Sequence, residues 1–330
     1  MVAQIDKRFI KRTKLKTFTR YLSYLLYEGR PLTTKGRWIN PLVFSLYKLQ
    51  EYLPFAKKVE KPIFILGTGR SGTTIFGVTL GIHEDVGFLN EPKALWSHLF
   101  SNEDLIGSYQ KTVGNYFLNE KDVSLDLKKK AHRIFGHYLR FSLSSRVVDK
   151  YPELIFRVPF VKAIFPDAKF LFLYRNGWDT CYSIKHWSER LGIAGAEDTH
   201  DWWGINNRKW FALCDQVVKY DPELKTGYEL IRKYTDHVEM AAVEWIVTMK
   251  QGLSLIDEEN VMAVKYEYFV ENTELRQKII GFCELNENKL YNDYCQEVLR
   301  SPKEKVAVVL PTEIADEFKR VMKLLGYGYG

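Results

Sequence analysis

The sequence predicts an α/β fold: a single domain with a central parallel β-sheet flanked by helices. Three apolar runs, PIFILG (62–67), KFLFLY (169–174) and NVMAVKY (260–266), are each followed by a polar turn and a helix-like pattern. Strands that alternate with helices are joined by crossovers, and crossovers make parallel sheets. The Gly-rich turn GTGRSG (67–72) stands between the first run and a helix expected to begin near Thr73. That arrangement presents backbone N–H groups and a helix N-terminus to an anion. With 330 residues and 46% apolar content, the chain can bury a full core.

Residues 1–58 read as a basic, helical N-terminal arm. In the first twenty residues Lys7, Arg8, Lys11, Arg12, Lys14, Lys16 and Arg20 face only Asp6, which gives +6 of the chain's net +7. Ile5, Phe9, Leu15, Phe18, Leu22, Leu25 and Leu26 recur among them at roughly helical spacing. Residues 1–20 therefore fit an amphipathic helix on an anionic membrane as well as a solvated helix face. No nucleic-acid partner is expected, and an enzyme built on the rest of the chain is expected to turn over without this arm.

The first residues mix charge with hydrophobe rather than forming an apolar leader core, and no stretch reaches the ~20 apolar residues of a membrane span. Cys181, Cys214, Cys283 and Cys295 form no C-x-x-C pair, which suits reduced, buried thiols. A cytoplasmic protein is expected, with any membrane association left to the arm.

Residues 59–330 form the main domain. After the first strand and its helix, Glu91 to Arg146 is mainly helix formers and charges, and Arg146 to Asp149 reads as a further short strand. Residues 186–236 carry Trp187, Trp202, Trp203 and Trp210, an acidic pair at Glu197 and Asp198, and little periodicity. A connection of this length reads as a lid or an acceptor-binding insertion.

The chemistry turns on one absent amine. Gly67 and Gly72 have the G-x-x-x-x-G spacing of a nucleotide phosphate loop, yet Thr73 stands where that loop has lysine, and the cation nearby is Arg70. The hydroxyls of Ser71, Thr73 and Thr74 and the loop amides can converge on one phosphate. A nucleotide kinase needs a magnesium carboxylate near such a strand end, whereas KFLFLY runs into Arg175. The pocket gathers positive charge.

This pattern resembles the PAPS-dependent sulfotransferase family, whose donor is 3′-phosphoadenosine 5′-phosphosulfate. GTGRSGTT (67–74) resembles the family's 5′-phosphosulfate loop. Arg175 to Ser183 (RNGWDTCYS) resembles its 3′-phosphate motif R-N-P-x-D-x-x-x-S, with Gly177 in place of proline. VKYEYF (264–269) and LLGYG (324–328) resemble later family segments, so the likeness spans about 60–328. It implies a P-loop NTPase-like sulfotransferase fold, sulfuryl transfer from PAPS to an acceptor hydroxyl with PAP released, and no metal requirement.

The resemblance also implies roles. VVDKYP (147–152) matches the segment that brings a lysine, here Lys150, to the bridging oxygen of the donor. The aryl and steroid branch carries a catalytic histidine two residues later; Pro152 stands there instead. Carbohydrate and tyrosyl-protein members use a glutamate, and Glu91 in NEP (90–92), twenty-one residues after Arg70, takes that place. Arg70, Ser71, Gly72, Thr73 and Thr74 are expected to hold the 5′ end, Arg175 and Ser183 the 3′-phosphate, with Tyr266, Lys303 and Lys305 as further donor-site residues.

By residue type alone, Lys150 also reads as a surface lysine ending a strand, Glu91 as a helix-start residue, and Trp202 and Trp203 as packing. His83 and His98 are the histidines nearest the loop in sequence. The base and the Trp-rich segment favour a glycan or glycolipid acceptor. A phenol or small alcohol is the alternative acceptor; a nucleotide kinase and a non-catalytic anion-binding protein are the other classes.

Overall fold

The computed structural model describes residues 2–194, 198–301, 307 and 309–328. Five parallel strands, β1 (Ile63–Gly67), β2 (Val86–Asn90), β3 (Arg146–Lys150), β4 (Lys169–Tyr174) and β8 (Val261–Lys265), lie in the order β2-β3-β1-β4-β8. The short strands β5 (Ile193–Ala194), β6 (Thr199–Asp201) and β7 (Gly204–Ile205) form a separate antiparallel sheet. The expected central parallel sheet flanked by helices is the observed architecture.

β1 is buried at every position, as expected of a strand covered on both faces. Its side chains alternate between two apolar layers. Phe64 and Leu66 join Phe170 and Phe172 on one face, while Ile63 and Ile65 join Leu171 and Leu173 on the other. From β1 the chain crosses to β2, returns through β3, and passes to β4 on the opposite side of β1. The carboxyl ends of β1, β3 and β4 therefore meet where the strand order reverses, which is where open α/β sheets bind ligands.

The helices before that point are α1 (Lys7–Arg12), α2 (Lys14–Leu26) and α3 (Asn40–Gln50). Then follow α4 (Thr73–Gly81), α5 (Lys93–Leu99), α6 (Leu125–Phe141), α7 (Val158–Ile164) and α8 (Gly177–Leu191). The stretch 186–236 folds as the end of α8, the small sheet, α9 (Arg208–Gln216) and α10 (Tyr228–Ile231); α11 (His237–Leu253) and α12 (Tyr266–Glu271) flank β8.

Strand β2 is the central-sheet strand that was not legible in the sequence. Gly87 weakens its strand signal, but the position requires glycine: a Cβ there would lie 2.8 Å from Ser142 Oγ and 2.9 Å from Tyr138 Cε1 on and beside α6. Tertiary packing overrides local propensity here.

The N-terminal helices are fastened to the domain. Ile5 and Phe9 are buried, Phe9 edge-on to Tyr294 at 5.5 Å. β2 is an edge strand, and α2 packs along it. Lys16 donates to the Val86 carbonyl at 3.0 Å and to Ser144 Oγ at 3.3 Å, and Arg20 makes a buried ion pair with Glu28 at 2.5 Å. Two of the seven cations in residues 1–20 are therefore internal. No helix among the described residues is long and apolar enough to cross a membrane. The four cysteines are buried and unbonded.

Candidate active site

The turn after β1 is shaped by what approaches it. A Cβ on Gly67 (φ +142°) would meet the Leu173 carbonyl oxygen at 2.3 Å, one on Gly69 would meet the Trp202 ring at 2.4 Å, and one on Gly72 (φ +97°) the Tyr266 ring at 2.3 Å. Ser71 is fully buried and donates its hydroxyl to the Thr68 carbonyl at 2.6 Å, so it stiffens the turn. Thr73 begins α4 and is buried; Thr74 lines the cavity beside the loop. Arg70 sits in the left-handed region at φ +68°. That conformation is disfavoured for a side-chain-bearing residue and persists where the surroundings enforce it.

Arg70 borders two cavities. The first, about 600 Å³, is lined by Arg70, Arg175, Asp179, Ser183, His186 and Arg190 among others. Arg70 Nε donates to Ser183 Oγ at 3.2 Å, which joins the phosphate loop to the Arg175–Ser183 motif. Arg175 is held by Asp179 at 2.8 Å and stands 5.0 Å from the Tyr266 ring centroid. Three guanidiniums, those of Arg70, Arg175 and Arg190, thus face one groove, a site for a multiply charged anion.

The second cavity, about 290 Å³, lies on the other side of Arg70. Lys150, at the end of β3, is buried and donates to Glu91 Oε1; the Glu91 N–H in turn donates to the Lys150 carbonyl at 2.7 Å. Glu91 also has a left-handed backbone, φ +49°, and its side chain keeps 37% exposure, enough for a ligand to reach it. Beyond it the charges alternate. Lys93 lies 3.7 Å from Glu91 Oε2 and 2.9 Å from Glu153, and Lys209 lies 3.7 Å from Glu153 and 2.5 Å from Glu244. Glu244 accepts from Trp202 Nε1 at 2.6 Å.

A general base in a closed pocket is expected to have its carboxyl raised by burial, and Glu91 departs from that expectation. Burial pushes the carboxyl up, but the ammonium groups of Lys150 and then Lys93 outweigh it, so Glu91 lies below the usual carboxylate range. Glu153 is likewise carried down to about 2, burial being overcome by Lys93 and Lys209. Asp149, one residue before Lys150, is pushed up to about 8 by burial, with the Trp96 indole N–H, 2.8 Å from Oδ2, opposing.

The structure thus brings Glu91 and Lys150 together, and Arg70 together with Arg175 and Ser183. Gly72 and Tyr266 meet ring against loop. Lys303 and Lys305 lie outside the described residues. His98 is bound to Glu51 at 2.6 Å against Phe44 and Tyr47, and His83 is bound to the Asn286 carbonyl at 2.9 Å; neither lines either cavity. Trp203 is packed in the core, while Trp187 and Trp202 line the second cavity, edge to face at 5.4 Å.

Lys93, Glu153, Lys209, Glu28 and Arg190 were not singled out in the sequence. Lys93 and Glu153 stand two and three residues from Glu91 and Lys150, which is the signal available for them. Lys209 and Glu28 come from distant segments. Asn90 N–H donates to Glu28 Oε1 at 2.8 Å, so the Arg20–Glu28 pair underlies the residue before Glu91.

The family model described as "Sulfotransferase family" matches residues 62–288, more than half of the chain. No curated protein sequence matches. Solved structures similar to this chain include the sulfotransferase domain from the curacin biosynthetic pathway, 14% identical over 83% of this chain and 100% of that one, with a TM-score of 0.46. The sulfotransferase domain from the Synechococcus olefin synthase is 15% identical over 84% of this chain and 98% of that one, TM-score 0.47. A mouse sulfotransferase complexed with PAP is 13% identical over 74% of this chain and 66% of that one, TM-score 0.39.

Proposed function

The chain belongs to the sulfotransferase family, and on that premise we propose that it transfers a sulfuryl group from PAPS to a hydroxyl of a glycan or glycolipid. The observation that carries the reading is the bond from Arg70 in the lysine-free phosphate loop to Ser183 in the second motif, with Glu91 lining the adjoining cavity and paired to the buried Lys150 behind it. The residues fit the donor: three glycines let Leu173, Trp202 and Tyr266 close tightly on the loop backbone, and Thr68 Oγ1 is buried without a partner among the described residues.

In this reading residues 67–74 and the N-terminus of α4 hold the 5′-phosphosulfate, with Arg70, Ser71, Gly72, Thr73 and Thr74 forming the cradle. Arg175 and Ser183 hold the 3′-phosphate, Tyr266 flanks them, and Lys303 and Lys305 are proposed to complete the site. The donor supplies the sulfuryl group: the acceptor oxygen bonds to sulfur, the bond from sulfur to the bridging phosphate oxygen breaks, and PAP departs. Glu91 takes the acceptor's proton. Lys150 and the loop amides stabilise the charge that develops on the phosphate, which requires no metal.

The acceptor assignment is supported by the lining of the second cavity. Trp187 and Trp202 offer apolar ring faces beside Lys93, Glu153, Asp201 and Lys209, a lining suited to a polyhydroxylated ring with one apolar face. Calorimetry with PAP and AMP in excess chelator tests the donor: PAP should bind at least about tenfold more tightly, since each charge-assisted phosphate contact is worth ~1.5–3 kcal/mol. Equal affinities defeat the assignment. Transfer of labelled sulfate from PAPS to glycan, glycolipid and phenol acceptors tests the second half.

A further inference from the structure

We propose that the outer faces of α2 and α3 dock this chain on an anionic lipid bilayer. On α2 the exposed apolar residues are Leu15, Phe18 and Leu25, with Leu22 half-buried between them. Spacings of three, seven and ten residues put all four in one sector of a helix. On α3, Leu42 and Leu49 are exposed on one stripe with the half-buried Leu46, and α3 packs against α2. Large aromatics stand at both ends of α3: Trp38 is 82% exposed and Phe55 80%. An amphipathic indole at one end of an apolar face and an exposed phenyl ring at the other suit insertion into the interface.

The charge around this face selects the partner. Residues 1–58 contain 13 lysines and arginines and three acids. Each acid is consumed internally: Asp6 by Arg8 and the Phe9 N–H, Glu28 by Arg20, and Glu51 by His98 and Lys130. Lys7, Lys11, Lys14, Lys35, Arg37 and Lys48 are left exposed. An apolar face in a positive field complements anionic headgroups above acyl chains.

The face differs from the amphipathic arm read in residues 1–20. Ile5 and Phe9 are core, and Lys16 and Arg20 are buried with protein partners, so none of them is available to lipid. The connection from α2 to α3 also lines the second cavity through Glu28 to Thr34. One continuous stretch of chain therefore carries both the docking face and a cavity wall. Docking stands on the surface alone and does not depend on the proposed reaction.

Sedimentation of the full chain with vesicles tests it. Phosphatidylcholine vesicles containing about 30% phosphatidylglycerol should bind the chain at least ~tenfold more tightly than phosphatidylcholine alone, and binding should fall about tenfold or more as salt rises from ~0.05 to ~0.3 M. Replacing Phe18, Trp38 and Phe55 together by serine should reduce binding about tenfold, with the melting temperature and PAP affinity unchanged. Charge reversal by Lys11→Glu, Lys14→Glu and Lys48→Glu should do the same independently. Equal binding to neutral vesicles, insensitivity to salt, or wild-type binding by both variants overturns the proposal. So does a wild-type dimer in solution that the serine variant splits, because a second copy then covers the face.

Discussion

Lys150 and Glu91 hold each other twice, ammonium on carboxylate and amide N–H on carbonyl oxygen. An ammonium that turns part of its charge and donors to a departing phosphate gives less of them to the Glu91 carboxylate. In the free site the proposed base is therefore a weakened base. The relationship separates two roles that mutation can resolve.

Glu91→Gln keeps the shape and an acceptor for Lys150 but removes proton acceptance. Turnover should fall by ~10²–10⁴-fold while PAP binding persists. Lys150→Ala should also lower turnover, by withdrawing charge from the leaving phosphate. A phenolic acceptor needs less help from a base, so it should partly rescue Glu91→Gln and leave Lys150→Ala impaired. Near-normal turnover of Glu91→Gln on an aliphatic alcohol places the base elsewhere.

Donor binding should take up protons. Lys150 is the largest influence holding the Glu91 carboxyl down against burial, and Lys93, Arg70 and Glu153 face the same carboxylate. A phosphate that draws the Lys150 ammonium raises the Glu91 pKa from its lowered position, and the site gains protons on the acid side of neutrality. Calorimetry of PAP binding in buffers of different ionisation enthalpy measures this directly. The uptake should vanish in Glu91→Gln; proton release on binding to the wild type contradicts the assignment.

Arg175 should decide between PAP and AMP. It stands at the groove shared with Arg70, Ser183 and Arg190, so Arg175→Ala should remove ~1.5–3 kcal/mol of PAP affinity and leave AMP nearly unaffected. Arg190 is more exposed, and Arg190→Ala should show a smaller loss in the same direction. Parallel titrations of both nucleotides give the comparison.

Asp149 should make the chain less stable as pH rises. Its carboxyl is carried from an unfolded value near ~3.9 up to about 8 by burial, against the Trp96 N–H and Lys150. A raised folded pKa gives stability that is complete below the unfolded value and is lost as pH climbs towards 8, by at most ~1.4 kcal/mol per pH unit for one group. Asp149→Asn retains a carbonyl oxygen for Trp96 and does not titrate. Its melting temperature should be flatter than the wild type's between about pH 4 and pH 8, the window set by those two pKa values. Glu103, which burial pushes up to about 7 against Arg157, adds a residual slope of the same sign. An unchanged slope in Asp149→Asn removes Asp149 as the cause.

The N-terminal residues should matter to turnover, contrary to the reading of a dispensable arm. Arg20 and Glu28 are both buried, and Glu28 also accepts from the Asn90 N–H beside Glu91. Arg20→Ala leaves a buried carboxylate without its guanidinium, which costs about 3–5 kcal/mol. Thermal melting of Arg20→Ala and turnover of a chain lacking residues 1–20 should both show the loss. Wild-type values in both would mean that the arm is only an accessory.

What the residues determined on their own was the strand that needs no context and the motifs written in consecutive positions. KFLFLY is apolar throughout because β4 is covered on both faces, and its predicted bounds are those observed. The lysine-free loop and the Arg175–Ser183 motif were legible because each is local, a turn and one helix start. Tertiary structure alone decided the rest. Gly87 made β2 unreadable, since glycine is demanded there by Tyr138 and Ser142 rather than by the strand. The low Glu91 pKa depends on Lys150, fifty-nine residues away in sequence, meeting it across adjacent strand ends. The fate of the arm's charges depended on whether each found a buried partner, as Arg20 did in Glu28 and Lys16 in the Val86 carbonyl. Charge and burial act through space, and a linear pattern records them only where neighbours in space are also neighbours in the chain.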